Sequence, residues 1–351
     1  MVTMEELLGV AHEMGASDVH ISVGISPKVR VDGSLIAMDY PILQPEDAEA
    51  LTLSITSNYH RKILEETGEV DYAYSVSDLG RYRVNIFKQR GTYAAAIRLV
   101  DTIIPTPEKL RMPQSMVNLA HKKRGLVLVT GPTGSGKSTT LASLIGVINE
   151  SYPYHIITLE DPIEYLHEHK KAIVNQREMG LDSLSYANAL RVALREDPDV
   201  ILVGEMRDLE TISTAITAAE TGHLVFSTLH TIGAASTIDR VIDVFPPHQQ
   251  QQIRIQLASV LEAVISQQLI PKASGKGRMA AFEVMIANAA IKNLIREQKS
   301  HQINSVIQTS KKDGMITMDD ALFDMYARGE ISAENAVNYA QDPVSLMKKL
   351  F

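Results

Sequence analysis

The sequence predicts an α/β protein in which a small α/β domain precedes a wound, largely parallel sheet surrounded by helices. Beyond Arg124, continuous apolar runs alternate with helical patterns, as expected for strands buried on both faces of a parallel sheet. These runs are GLVLVT, HIITLE, DVILVG and HLVFST. The first 100 residues differ, because helical stretches there accompany a hairpin and three strand-like runs.

The predicted first domain covers residues 1–100. Apolar residues recur at helical spacing near the N-terminus, and Gly15 ends that helix. The elements that follow are a hairpin over 27–38 turning at Asp32-Gly33, a helix over 45–66, and strands over 69–76, 80–89 and 92–100.

Residues 101–113 contain three prolines and are predicted to form a short, stiffened linker. The second domain is then predicted over residues 114–351. Beyond residue 247 its pattern is mostly helical and ends in a small helical cap.

The composition excludes several classes of function. The 351-residue chain has 34 Lys and Arg against 42 Asp and Glu, and its net charge of −8 disfavours nucleic-acid binding. It has no tryptophan, so stacking platforms for bases are not expected. The absence of cysteine fits a reducing compartment. Without a signal-peptide pattern or a long apolar run, we expect a cytoplasmic protein whose membrane association comes only through partners.

The strongest chemical signal is the segment GPTGSGKST at 131–139, which fits the phosphate-loop pattern G-x-x-x-x-G-K-[ST]. It follows a predicted strand and opens a predicted helix, a context that a chance glycine-rich turn lacks. Glycines let backbone N–H groups surround a phosphate, while Lys137 reaches the β- and γ-phosphates and Ser138 ligates Mg²⁺. The sequence therefore predicts ATP and Mg²⁺ at Gly131, Pro132, Thr133, Gly134, Ser135, Gly136, Lys137, Ser138 and Thr139.

A first group of carboxylates lies in ITLEDPIEY, at the end of a predicted strand. The carboxyl ends of parallel strands line the ligand crevice of a wound sheet, where the phosphate loop also lies. We therefore assign Glu160 and Asp161 to nucleotide binding, and Glu164 to catalysis and to Mg²⁺. The alternative is a polar turn, because Asp-Pro is common in turns.

A second acidic strand end is DPDVILVGEMRD. Many phosphate-loop enzymes have an aspartate beside Mg²⁺ at the end of such a strand, but here Gly204 stands in that place and Glu205 follows it. Glu205 is predicted to polarise the attacking water. The alternative is a carboxylate that stabilises a helix N-terminus.

Two histidines flank the apolar run in HLVFSTLHT. His230 follows the run, where a sensor of the γ-phosphate would lie, and imidazole titrates near working pH. His223 precedes the run and is assigned to nucleotide binding. For both, the alternative is a structural histidine held by hydrogen bonds.

The phosphate loop, ITLEDPIEY, ILVGEMRD and HLVFSTLHT, in this order, resemble the secretion ATPase superfamily. Residues 281–309 further resemble the C-terminal signature of PilT-type pilus retraction ATPases, with Lys292 where that family usually has arginine. FPPHQQQQIR also resembles this family, whereas the cysteine module typical of assembly and type II secretion ATPases is absent.

The resemblance implies a homo-hexamer of subunits with a PAS-like N-terminal domain and a RecA-like ATPase domain carrying C-terminal helices. It also implies that two arginines of the first domain approach the phosphates, which are Arg83 and Arg98 in this sequence. Implied partners are the inner-membrane pilus platform protein and, as a second candidate, the assembly ATPase. The alternative for the arginines is that they are exposed strand charges.

The implied function is a motor that uses ATP hydrolysis to retract type IV pili at the inner face of the cytoplasmic membrane. Pilus assembly or type II secretion is the nearest alternative. A RecA-like nucleic-acid translocase is a third class, which the acidic charge and lack of tryptophan disfavour. A regulatory scaffold with little turnover is disfavoured by Glu205 and the complete phosphate loop.

Overall fold

The computed structural model describes residues 2–31, 33–76, 79–100 and 103–350. The chain divides into two compact units. The first contains the chain up to Ile103 together with Pro162–Leu166, and the second contains Ile104–Asp161 and the chain from His167 onward. Within the described ranges, no helix has both the length and the apolar character needed to cross a membrane.

The first unit contains an antiparallel sheet of six strands in the order β3-β2-β1-β6-β5-β4, with three helices. Its elements are α1 (Met4–Glu13), β1 (Asp18–Ile21), β2 (Lys28–Val31), β3 (Ser34–Ala37), α2 (Pro45–Ser54), α3 (Asn58–Thr67), β4 (Glu69–Val76), β5 (Gly80–Gln89) and β6 (Thr92–Val100). The core of this unit is apolar, and its largest buried side chains include Met4, Leu7 and Tyr82.

The prediction of one helix over 45–66 is wrong, because α2 ends at Ser54 and α3 begins at Asn58. The hydroxyls of Thr52, Ser54 and Thr56 each donate to a backbone carbonyl, and such bonds compete with a regular helix. Ser57 then caps α3 by accepting a hydrogen bond from the His60 N–H. The predicted hairpin is present as β2 and β3, although Asp32 of its predicted turn lies outside the described residues.

The second unit contains a seven-stranded sheet in the order β13-β12-β7-β11-β10-β8-β9. All neighbours are parallel except β12 and β13. The strands are β7 (Gly125–Thr130), β8 (His155–Glu160), β9 (Ile173–Glu178), β10 (Val200–Val203), β11 (Leu224–Leu229), β12 (Leu261–Pro271) and β13 (Arg278–Ile286). Every residue of β7 and β11 is buried, which accounts for their continuous apolar sequences.

Helices cover the sheet of the second unit and continue to the C-terminal region. They are α4 (Gln114–Val117), α5 (Lys137–Ser151), α6 (Tyr186–Ala193), α7 (Leu209–Glu220), α8 (Ala234–Asp243), α9 (Pro247–Val260), α10 (Ala289–Arg296), α11 (Ile303–Thr309), α12 (Met318–Ala327), α13 (Ala333–Asn338) and α14 (Pro343–Leu350). Short 3₁₀ turns lie at Asn118–His121, Ser300–Gln302 and Lys311–Asp313. From Ile104 the predicted linker belongs to this unit, and Met112 is buried in its core with Met116.

The expectation of a mostly helical pattern after residue 247 is wrong for the hairpin of β12 and β13 at one edge of the sheet. The run of β12 contains Ser266, Gln267 and Gln268, all of which are buried. Buried polar side chains are tolerated where they form hydrogen bonds, and each of the three does so. Because these polar residues interrupt the apolar run, a search for continuous apolar residues does not detect β12 as a buried strand.

Candidate nucleotide-binding site

The segment 131–136 forms a tight loop between β7 and α5. Gly136 precedes α5 in the left-handed region, with φ 87° and ψ 22°. Gly131 has φ +143°, and a β-carbon there would lie 2.2 Å from the backbone oxygen of Gln267. Both positions therefore require glycine, one for its backbone conformation and the other for close approach of a neighbouring strand.

The loop holds groups that suit an anion. The Lys137 ammonium is largely buried and donates to the carbonyl oxygens of Gly131 at 2.9 Å and Pro132 at 3.1 Å. The hydroxyl of Ser135 is buried and has no hydrogen-bond partner in the described part of the chain. Together with the N-terminus of the 15-residue helix α5, these groups match the acceptor oxygens of a phosphate.

Glu205 lies at the carboxyl end of β10, at the edge of the sheet where the phosphate loop follows β7. The parallel register aligns Val203 with Ser227 and Leu229 with Thr130, so these strand ends share one edge. The Glu205 side chain is 15% exposed, and its Oε2 lies 2.6 Å from Arg207 Nε. Its Oε2 is also 3.5 Å from His230 Nε2. The structure therefore brings Glu205 and His230 close together at this end of the sheet.

The alternative role for Glu205, stabilising a helix N-terminus, belongs to a different residue. Asp208 is the N-cap of α7, where its Oδ1 accepts from the Thr211 N–H at 2.8 Å and its Oδ2 from the Thr211 hydroxyl at 2.9 Å. Glu205 instead lines a cavity of about 370 Å³ with Arg207, His230 and Arg240. It remains available for chemistry at this strand end.

Glu160 is the last residue of β8, and Asp161 follows it at the same end of the sheet. Glu160 Oε1 accepts from the Thr158 hydroxyl at 2.6 Å and from Gln176 Nε2 at 3.1 Å. Burial raises the pKa of the Tyr186 phenol, and the negative charges of Asp161, Glu205 and Glu160 raise it further. Tyr186 is thus a neutral hydroxyl among the acidic strand ends, and nothing in its sequence context predicts this position.

The same tyrosine shows why glycine occupies position 204. A β-carbon on Gly204 would lie 2.8 Å from the Tyr186 hydroxyl and 3.0 Å from the Leu159 carbonyl oxygen. A side chain at position 204 would have to displace these neighbours, so an aspartate beside the metal is sterically disfavoured there, and the next residue, Glu205, is the carboxylate that the sequence predicts for catalysis.

We expect Gly204→Ala to destabilise the second unit by about 1–3 kcal/mol, the usual cost of overpacking a buried position. Denaturant unfolding of the full chain measures this change. Adding Tyr186→Phe should recover part of the loss, because it removes the nearer of the two contacts, whereas Tyr186→Phe alone should not stabilise the protein. A Gly204→Ala variant as stable as the unsubstituted chain would contradict this account.

His223 lies at the opposite end of the sheet. Its Nδ1 is 2.9 Å from the Ala218 carbonyl oxygen near the end of α7, and its own carbonyl accepts from the Gly125 N–H. Gly125 begins β7, and the phosphate loop follows the other end of that strand, about 16 Å away at the usual rise per residue. The structure therefore does not bring His223 to the phosphate loop of its own chain, and its contacts are those of a structural histidine.

Arg83, Arg98 and Glu164 belong to the first unit, whereas the phosphate loop belongs to the second. Arg83 and Arg98 are directly opposite on β5 and β6, and they line a cavity of about 220 Å³ with Glu164. Arg83 Nη2 lies 2.6 Å from Asp71 Oδ2, and Arg98 Nε lies 2.9 Å from Asp18 Oδ1. The Arg83–Asp71 pair is exposed on both sides, and such pairs contribute about 0–1 kcal/mol, so Arg83 can exchange partners at little cost, whereas the Asp18 partner of Arg98 is only 13% exposed.

The phosphate loop, the parallel sheet around it and the carboxylate that follows β10 at the same end of that sheet define this chain as a P-loop ATPase with a RecA-like domain. The model of the type II/IV secretion system protein family matches residues 106–337, and the chain belongs to this family. It is 51% identical to the type IV pilus retractation ATPase PilT of Pseudomonas aeruginosa over 338 residues, which are 96% of this chain and 98% of the relative.

Two further comparisons cover nearly the whole chain. A twitching motility protein of Neisseria gonorrhoeae is 49% identical over 321 residues, which are 92% of this chain and 86% of the relative. A crystal structure of the pilus retraction motor PilT with bound ADP matches with a TM-score of 0.94 at 52% identity, covering 99% of this chain and 100% of the other. The similarity therefore extends through both units.

Proposed function

We propose that this chain is the subunit of a hexameric motor that hydrolyses ATP and drives type IV pilus retraction, the disassembly step of twitching motility. The observation that carries the proposal is the complete phosphate loop with Glu205 at the same end of the sheet, in a chain similar to a pilus retraction ATPase over 96% of its length. The motor works at the inner face of the cytoplasmic membrane, which it reaches through the pilus platform protein.

In this mechanism the loop amides between Gly131 and Lys137 surround the β-phosphate, and the Lys137 ammonium exchanges carbonyl oxygens for phosphate oxygens. Mg²⁺, when bound, neutralises charge on the β- and γ-phosphates. Among the described residues, no group of three histidine or acidic side chains lies close enough to hold a metal ion. Mg²⁺ would be held by the nucleotide and Ser138, with Glu164 as the proposed carboxylate.

Glu205 is proposed to accept a proton from the attacking water or to orient it. The Arg207 Nε lies 2.6 Å from Glu205 Oε2 and holds that carboxylate oxygen in place. His230, 3.5 Å from the same oxygen, is in position to respond to a change in charge when the γ-phosphate leaves. We assign Arg83 and Arg98 to stabilising phosphate charge in the hexamer, because both guanidinium side chains are exposed, at 48% and 68%.

We propose that α10 transmits the movement of the motor to its partner protein. Its Ile291 and Ile295 are buried, and the Lys292 ammonium lies 3.9 Å from Glu262 Oε1, whereas Arg296 is exposed. Lys292 thus contributes to packing against the start of β12. Of the two basic residues of α10, Arg296 is the one that is accessible to a partner protein.

The proposed function is tested in piliated cells that lack their own retraction ATPase. Expression of this chain should restore pilus retraction, measured by fluorescence imaging of labelled fibres. Arg296→Ala should abolish retraction, while the ATPase rate stays within about twofold of that of the unsubstituted chain and light scattering still shows a hexamer. The reason is that surface substitutions cost little stability. Longer pili without retraction would favour the assembly function, and ATPase activity that requires DNA would favour the translocase.

A further inference from the structure

The carboxamide of Gln267 on β12 lies directly against the phosphate loop. Its Nε2 donates to the Ser135 carbonyl oxygen at 2.7 Å, and its Oε1 accepts from the Thr140 hydroxyl at 2.7 Å. Because a carbonyl oxygen only accepts, the Ser135 contact fixes which way the amide points. Gln267 is 2% exposed, so water does not compete for either bond.

The same residue determines where the motif needs glycine. A β-carbon on Gly131 would lie 2.2 Å from the Gln267 backbone oxygen, and one on Gly136 would lie 2.9 Å from Gln267 Nε2. The backbone of the loop is therefore packed against Gln267 near both of its ends. Gln267 is 127 residues from Thr140 in sequence, and no sequence motif predicts that Gln267 contacts the phosphate loop.

Buried polar residues are usually hydrogen-bonded, so two satisfied bonds alone would only make Gln267 a well-packed residue. What distinguishes it is the location of its two partners. Ser135 and Thr140 lie on either side of Lys137 and Ser138, the residues that contact phosphate and Mg²⁺ in the proposed mechanism. A single amide thus forms hydrogen bonds on both sides of the phosphate-binding residues.

We propose that Gln267 is a positioning residue that holds the loop in its phosphate-binding shape and so sets nucleotide affinity. This inference rests on the proposed role of the loop as the nucleotide site. It differs from the role of Glu205, because Gln267 acts on the bound phosphates through the loop and has no part in activating water.

The chain provides a matched control in the next residue. Gln268 is on the same strand, is also buried and donates through Nε2 to the Tyr339 carbonyl oxygen at 3.1 Å. Neighbouring side chains on a strand point to opposite faces, so Gln268 contacts the C-terminal helices and not the loop. A merely structural role would make the two glutamines equivalent.

The experiment measures binding of a fluorescent ADP derivative by the full-length chain and its Gln267→Leu and Gln268→Leu variants. The dissociation constant should rise about 10- to 100-fold for Gln267→Leu, in the range for losing two buried hydrogen bonds. It should change less than about threefold for Gln268→Leu. The KM for ATP should rise with the dissociation constant in Gln267→Leu, while kcat at saturating ATP stays within about threefold.

Thr140→Val is the second test and preserves the side-chain volume. It removes one of the two bonds and should weaken ADP binding by about three- to tenfold, with less than additive loss when combined with Gln267→Leu. If Gln267→Leu does not fold, Thr140→Val decides, and unchanged ADP affinity in that variant would reject the inference. Equal losses in Gln267→Leu and Gln268→Leu would also reject it. Failure of the unsubstituted chain to bind ADP would instead reject the proposed nucleotide site itself.

Discussion

Lys137→Ala is expected to lower the affinity for ADP and ATP by about 100-fold and to remove measurable turnover at cellular ATP. The Lys137 ammonium is the buried cation of the phosphate loop, and charge-assisted hydrogen bonds to phosphate are among the strongest polar contacts in proteins. Isothermal titration with ADP and a phosphate-release assay measure the two effects.

Lys123→Ala is the control for this substitution, because Lys123 is an exposed lysine of the same unit. It should bind nucleotide as the unsubstituted chain does. The unfolding free energy of Lys137→Ala should stay close to that of the unsubstituted chain, since the substitution removes a buried charge and does not create one. Nucleotide affinity that survives Lys137→Ala unchanged would contradict the phosphate-loop assignment.

Glu205→Gln is expected to lower kcat by about 10²- to 10⁴-fold while the dissociation constant for ATP stays nearly constant. The amide keeps the size of the side chain and the position at the end of β10, but it cannot accept a proton as the carboxylate does. Single-turnover hydrolysis, measured with bound ATP, separates this loss from any change in binding.

Asp208→Asn is the matched control for Glu205→Gln. It also replaces a carboxylate by an amide in the same motif, but asparagine caps a helix about as well as aspartate. Turnover should therefore remain within about threefold. Near-normal kcat in Glu205→Gln, or an equal loss in Asp208→Asn, would remove Glu205 from the catalytic role.

Much of the fold could be predicted because its signals are local. The strands over 69–76, 80–89 and 92–100 agree with β4, β5 and β6, and the apolar runs of β7, β8 and β11 mark strands buried on both faces. The break in the predicted helix over 45–66 was missed because it depends on hydroxyl groups that bond to nearby carbonyls, a choice that propensity alone does not decide.

Sequence order also misplaced His223 relative to the phosphate loop. The two histidines of HLVFSTLHT are seven residues apart, and the sequence predicts both at the nucleotide site. An extended strand of that length spans about 20 Å, so its two ends cannot contact the same phosphate. His230 lies near Glu205, whereas His223 contacts the end of α7.

The sequence by itself determined the phosphate loop and the class of protein, and it predicts Glu205 as the catalytic carboxylate, because these depend on residue types at short fixed spacing. Only the tertiary structure decided what surrounds them. Tyr186 excludes a side chain at position 204, and Gln267 supports the loop from a strand more than 120 residues away. Such contacts depend on the order in which strands pair in the sheet, and no local pattern of residues encodes that order.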